Sequence, residues 1–208
     1  MMARNVFISF RYSDGNKYKN DLAELFKESN DTVDCSEEVD RSMMSEDTIQ
    51  DYLYKKLKRS SVTIVLLTPE SVFHKKNSCG KYDDWMYDEI RYSLEDRINN
   101  RTNGLIAVYV PEAEYMIIHK TIHICNVCNN QTEIDLLSNF DNLSRLNMLN
   151  VKEEYKVNRC DGVYDGDYDS YCSLVPYNEF KKNFEKYIEI AIQKREEKYK
   201  YDVRSRLQ

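Results

Sequence analysis

Val62–Leu67, VTIVLL, is an unbroken run of apolar and β-branched side chains. A run this short suits a strand, and apolar residues at every position instead of every second one suit a strand covered on both faces. That coverage arises when helices flank a parallel sheet. The neighbouring sequence supplies the rest of such a unit. Asn5–Phe10 is short, β-branched and aromatic, and Tyr12-Ser13-Asp14-Gly15 after it is a turn signal, which predicts a first strand. Tyr18, Leu22, Leu25 and Phe26 then follow a helical period. Thr32–Cys35 is a short strand candidate ahead of an acidic loop, and Ser45 can cap a helix with the stripe Ile49, Tyr52, Leu53 and Leu57. A second apolar run, Leu105–Val110, is closed by Pro111.

Strand alternating with helix four times predicts an α/β fold with an open, doubly wound parallel sheet of flavodoxin-like order over residues 1–111. In such sheets ligands bind beyond the carboxyl ends of the strands where the strand order reverses, here between the first and third strands. Phe10, Arg11 and Thr68 would line that crevice. Residues 112–175 carry frequent Asn, an acidic Gly-containing loop at Asp161–Asp169 and no long apolar run, which predicts an irregular insertion packed on the core. Pro176 opens a terminal helix with an apolar face through Phe180, Phe184, Tyr187, Ile188 and Ala191, and Lys194–Gln208 is expected to be a frayed, charged tail.

At 208 residues the chain fits one domain with an appendage. The formal charge is −6, with Lys and Arg interleaved among Asp and Glu, so no basic stripe advertises nucleic acid as a partner. There is no apolar run of membrane-spanning length, and MMARNVFISF lacks the pattern of a secretory signal, so a cytoplasmic protein without membrane attachment is expected. Six cysteines in such a setting are expected to be reduced thiols.

Within KYDDWMYDEIRYSLEDR, residues 81–97, Trp85 and Glu89 stand four apart and share one helical face. The stripe that buries this helix can be drawn separately through Met86, Ile90, Leu94 and Ile98. Nothing about folding requires a tryptophan beside a carboxylate there. VFISFRYSD at the start, SSVTIVLLTPES in the middle and the Trp-x-x-x-Glu helix together resemble the TIR domain, specifically the bacterial TIR-like branch that includes the signal-producing component of Thoeris anti-phage defence. The motifs span residues 4–111, and RTNGLIAVYVP at 101–111 and the cysteine-containing region beyond it also look like the longer members of that branch.

That resemblance implies cleavage of NAD+ as substrate at the nicotinamide glycosidic bond, with no metal and no further cofactor. The family's glutamate maps onto Glu89. A carboxylate suits this chemistry, because loss of nicotinamide leaves an oxocarbenium-like ribose that negative charge stabilises. Phe10 and Trp85 are candidates to stack on nicotinamide or adenine, and Arg11 to attract the pyrophosphate. The implied product is a cyclic or otherwise modified ADP-ribose read by a downstream effector protein, with self-association as a further expectation. Met86 stands where the family usually has cysteine, and CSEEVDRSMMS, 35–45, lacks the Arg-Asp and Pro-Gly pattern that shapes this loop in many relatives. Both departures keep open a noncatalytic adaptor acting by self-association or by binding a nucleotide.

Other constellations compete. His119, His123, Cys125 and Cys128, with Cys160 and Cys172 downstream, offer soft ligands for a structural zinc, but the spacing after Cys128 is long and irregular. Buried free thiols account equally well for cysteines near Ile122, Ile124 and Val127, so no metal is expected. Asp161, Asp165, Asp167 and Asp169 lack the ligand order of a calcium loop and predict an exposed acidic loop. No Gly-rich phosphate loop or nucleophile elbow is present. A phosphoacceptor receiver would need acidic residues where Arg11 and Thr68 stand.

Overall fold

In a computed structural model, which describes residues 4–29, 32–34, 46–96 and 101–207 and only the backbone of 46–50, Val62–Leu67 is the middle strand of a five-stranded sheet. The strands are β1 (Arg4–Ser9), β2 (Thr32–Asp34), β3 (Val62–Leu67) and β4 (Gly104–Tyr109), joined, after a hairpin of β5 (Ile118–Ile124) and β6 (Gln131–Leu137), by β7 (Cys172–Pro176). Their order is β2-β1-β3-β4-β7, and each neighbouring pair is parallel. This is the expected α/β architecture of flavodoxin-like order, with the reversal between β1 and β3. The helices are α1 (Tyr12–Glu28), α2 (Glu46–Arg59), α3 (Trp85–Leu94), the single turn α4 (Glu114–Ile117) and α5 (Tyr177–Glu196).

All six residues of β3 and of β4 are buried, because helices cover both faces of the sheet. Side-chain alternation decides which helix each residue meets. On β1, Phe7 packs with Leu53 and Leu57 of α2 and Tyr92 of α3, whereas Val6 and Ile8 join the larger core with Leu22 and Phe26 of α1. On β3, Thr63 hydrogen-bonds Ser93 of α3 at 2.7 Å. Thr68, just past the strand and of opposite parity, bonds Asp14 of α1. The backbone of α5 lies directly on β4: a Cβ on Gly104 would stand 2.3 Å from the Ala191 carbonyl oxygen.

Several expectations are corrected. The fifth strand, β7, comes from the region predicted to be irregular. Its sequence CSLVP is short and includes serine and proline, so no continuous apolar run announces it. The predicted first strand ends one residue earlier, at Ser9, and Phe10 leaves the sheet. Asp169 is not part of an exposed acidic loop: it is fully buried and accepts backbone N–H bonds from Val157 and Asp165, both at 2.7 Å, and from Asn158 at 3.4 Å. The charged tail is docked, with Lys194 and Tyr201 buried, Tyr201 bridging Val151, and Arg204 exchanging bonds with the Asn147 side chain. Backbone pairing and aromatic contacts, Tyr201 on Tyr171 and Tyr199 on Tyr155, hold it together with ion pairs such as Lys198–Asp96, and a count of charges does not show where these partners lie. The loop 35–45 with its Ser45 cap, and Ile98, lie outside the described residues, as does the side chain of Ile49. No helix among the described residues is long and apolar enough to cross a membrane.

Candidate active site at the ends of the first and third strands

Ser9 is the last residue of β1 and points, like Phe7, toward the α3 side of the sheet. There its hydroxyl donates a 2.6 Å hydrogen bond to Oε2 of Glu89. Both side chains are buried, Glu89 with 8% of its surface exposed. α3 is held in place one turn further on, where Ser93 Oγ donates to the Glu89 carbonyl at 2.8 Å and meets Thr63, which also accepts from Asn103. The stripe Met86, Ile90 and Leu94 is buried as expected. Trp85 opens the helix and is 40% exposed, which leaves indole surface accessible to a ligand. Trp85 and Glu89 therefore share a helical face while differing in depth.

The start of α3 is fixed by Asp84. Its Oδ1 accepts from the Met86 N–H at 3.2 Å as an N-cap, and its Oδ2 accepts from Arg11 Nη2 at 2.8 Å, from His74 Nδ1 at 3.0 Å and from the Lys75 N–H at 3.1 Å. The Leu143 N–H donates to His74 Nε2 at 3.0 Å, so the imidazole proton resides on Nδ1 and is given to Asp84. Burial opposes ionisation of Asp84, yet the His74 bond and the Arg11 charge outweigh it and hold the carboxyl down to about 2. Arg11, expected to reach for a pyrophosphate, thus has its guanidinium engaged by a buried carboxylate.

Thr68 and Phe10 belong to the other face. The Thr68 hydroxyl donates to Asp14 Oδ1 at 2.6 Å, and Asp14 Oδ2 accepts from the Glu70 N–H at 2.9 Å, which ties the β3 exit to the first turn of α1. Phe10 packs on Gly15, where a Cβ would approach it to 3.3 Å. The five expected site residues therefore gather at the carboxyl ends of β1 and β3 but on two sides of the sheet. Glu89 and Trp85 sit on the α3 side, with Arg11 reaching the cap of α3, and Thr68 and Phe10 sit on the α1 side.

Sequence reasoning missed Ser9, Asp14, His74 and Asp84. Asp84 was within reach, since an aspartate directly before a helix is an N-cap signal. Ser9 was also within reach by alternation from Phe7, given which face α3 covers. No local pattern marks His74, whose partners come from Asp84 and Leu143.

The candidate metal ligands do not assemble as one set. Cys172 is buried in β7, and His119 lies 3.3 Å from the Ser138 hydroxyl on the hairpin. Cys125, Cys128 and Cys160 do converge, with their sulfurs all within 4.8 Å of one another.

The family model described as Thoeris protein ThsB, TIR-like domain, matches residues 7–115, more than half of the chain. The match runs from the second half of β1 to the start of α4, takes in every residue proposed for the candidate site, and stops short of β7 and α5.

Proposed function

This chain belongs to the TIR-like family of the Thoeris protein ThsB, a signalling module of anti-phage defence that works with other Thoeris components, and we propose that it does so by cleaving NAD+ through Glu89. The observation that carries the proposal is the buried Ser9–Glu89 hydrogen bond at the strand-order reversal, where open α/β sheets bind ligands. In the step proposed, the bond from ribose C1′ to the nicotinamide nitrogen breaks and its electron pair neutralises the pyridinium. Positive charge then builds on C1′ and the ring oxygen. The Glu89 carboxylate accepts from the ribose hydroxyls and stabilises that charge, while Ser9 sets the carboxylate's orientation. A nucleophile adds to C1′ and loses its proton, giving a hydrolysed, cyclic or conjugated ADP-ribose that an effector protein reads in the cytoplasm.

The exposed indole of Trp85 and the ring of Phe10 supply stacking faces for the bases. Thr68 and Arg11 act from behind. The first fixes α1 through Asp14, and the second fixes the start of α3 through Asp84, so binding of a pyrophosphate by Arg11 would compete with an ion pair already made.

A second reading has its own support. A nine-tenths buried Glu89 bonded to Ser9 also works as a brace between α3 and β1, which suits a noncatalytic adaptor acting by self-association or nucleotide binding. Glu89→Gln separates the two, because the amide oxygen can still accept from Ser9. Mass spectrometry of small molecules from cells expressing each form, with and without phage challenge, should show an ADP-ribose species that falls by about 10³-fold in the variant. Constant NAD+ and unchanged signalling by Glu89→Gln under challenge would favour the adaptor.

A further inference from the structure

The tip of the β5–β6 hairpin carries Cys125 and Cys128, and the loop that ends in the buried Asp169 carries Cys160. Thirty-one residues separate Cys128 from Cys160 in sequence, yet their sulfurs are 3.8 Å apart, and with Cys125 all three lie within 4.8 Å. Thiolates around a tetrahedral zinc sit at about 2.3 Å from the metal, which places neighbouring sulfurs about 3.8 Å from one another. A disulfide would need about 2.05 Å. From this convergence we infer that Cys125, Cys128 and Cys160 bind a zinc ion that fastens the hairpin to the 156–169 loop.

The surroundings hold the three sulfurs in place. Cys125 and Cys128 straddle a tight turn in which the Asn129 N–H returns to the Cys125 carbonyl at 2.8 Å, Asn129 takes φ +57°, and the Val127 N–H points at Cys125 Sγ at 3.4 Å. The Lys156 ammonium, itself buried, donates to the Cys160 carbonyl at 2.9 Å and brings positive charge beside the cluster. The Cys160 N–H is held by Asn158 Oδ1 at 2.9 Å, so the loop presents this sulfur in a set direction. Soft thiolates without a carboxylate among them select zinc over magnesium or calcium.

His123 supplies the nearest imidazole. Its Nε2 lies 2.6 Å from the Asp161 carbonyl, which can only accept, so Nε2 carries a proton and Nδ1 is the nitrogen left to offer a lone pair to a metal. An imidazole that gives its other N–H to a backbone carbonyl has the arrangement usual in metal-ligating histidines. Its ring rests on Gly162, where a Cβ would come within 2.8 Å and where φ is +67°. His123 is not within ligand distance of all three sulfurs as the ring stands, so the fourth position is taken by water or by this Nδ1 once the ring moves toward them.

The test is metal content of the full chain purified under reducing conditions without chelator, measured by inductively coupled plasma mass spectrometry. About one zinc per chain is expected, falling to roughly a tenth or less in Cys125→Ser and Cys160→Ser and unchanged in Cys79→Ser. Should a buried-site variant fail to fold, Cys128→Ser at the exposed position gives the same comparison. Cobalt reconstitution of the wild type should add thiolate-to-metal charge-transfer absorption, and His123→Ala tells imidazole from water by the change in the visible bands. A wild type that takes up no zinc even when reconstituted with the ion, or cysteine variants that bind as well as wild type, would overturn the site. So would a metal-free chain two hydrogens lighter whose non-reduced peptide map joins Cys128 to Cys160 in a disulfide.

Discussion

Ser9 and Glu89 are eighty residues apart in sequence and share a 2.6 Å hydrogen bond in the interior. A hydroxyl donating to one carboxylate oxygen fixes which way the other faces. Ser9→Ala should therefore lower kcat for NAD+ cleavage by about 10-fold with little change in KM, and cost about 1–2 kcal/mol of stability. Ser9→Thr, which restores a donor, should recover most of the rate. Steady-state kinetics beside thermal melts check this, and an unaltered kcat in Ser9→Ala would remove Ser9 from the proposed chemistry.

Asp84 makes a sharper electrostatic prediction. Its carboxyl is depressed from 3.8 to about 2 in the fold, so the stability it contributes is fully present above pH 3.8 and is lost as the pH falls toward 2. Asp84→Asn keeps an oxygen for the Met86 N–H but removes the charge facing Arg11 and His74. A loss of about 2 kcal/mol at neutral pH is expected, shrinking through that acid window. Urea titrations of both proteins from pH 5 downward measure the difference, and parallel acid limbs would contradict it.

Lys194 behaves in the opposite sense. Burial pushes its ammonium down from 10.5 to about 8, although its Nζ donates to the Ser170 carbonyl at 2.7 Å and lies 2.6 Å from Ser173 Oγ. Between those two pH values the unfolded chain holds the proton that the folded chain has released, so stability rises with pH. Relative to Lys194→Met, the wild type should gain about 3 kcal/mol from pH 8 to 10.5. Chemical denaturation of the pair across that range, in which shared tyrosine effects cancel, provides the measurement, and a pH-independent difference would refute it.

Gly104→Ala tests the packing of α5 on the sheet. The added methyl would stand 2.3 Å from a backbone oxygen, which no rotamer change relieves. A cost of about 3 kcal/mol or more is expected, seen as a large drop in midpoint denaturation. A near-neutral Ala would mean that α5 can lift away from β4.

How far the sequence alone reached follows from what each element's signal depends on. Val62–Leu67 and the helix stripe Met86, Ile90 and Leu94 were legible because burial on both faces or along one stripe dictates local composition. β7 was not, since an edge strand of five residues is specified by its partner β4 more than by its own side chains. Glu89 stood out by spacing beside Trp85, whereas His74 did not, because its role exists only once Asp84 and Leu143 are brought to it. The docked tail has the same cause: Tyr201 finds Val151 across the fold, and no window of sequence contains both.

The excursion between β4 and β7 also sets a clock. Every residue of the proposed site has been made by position 89, yet the last strand of the sheet and α5 follow only after the roughly 60 residues that separate β4 from β7, several seconds of synthesis at about 5–20 residues per second. Until then the fully apolar β4 is an open edge, the kind of surface that recruits chaperones or other nascent chains. A ribosome halted within that stretch leaves an adhesive fragment instead of a finished defence protein.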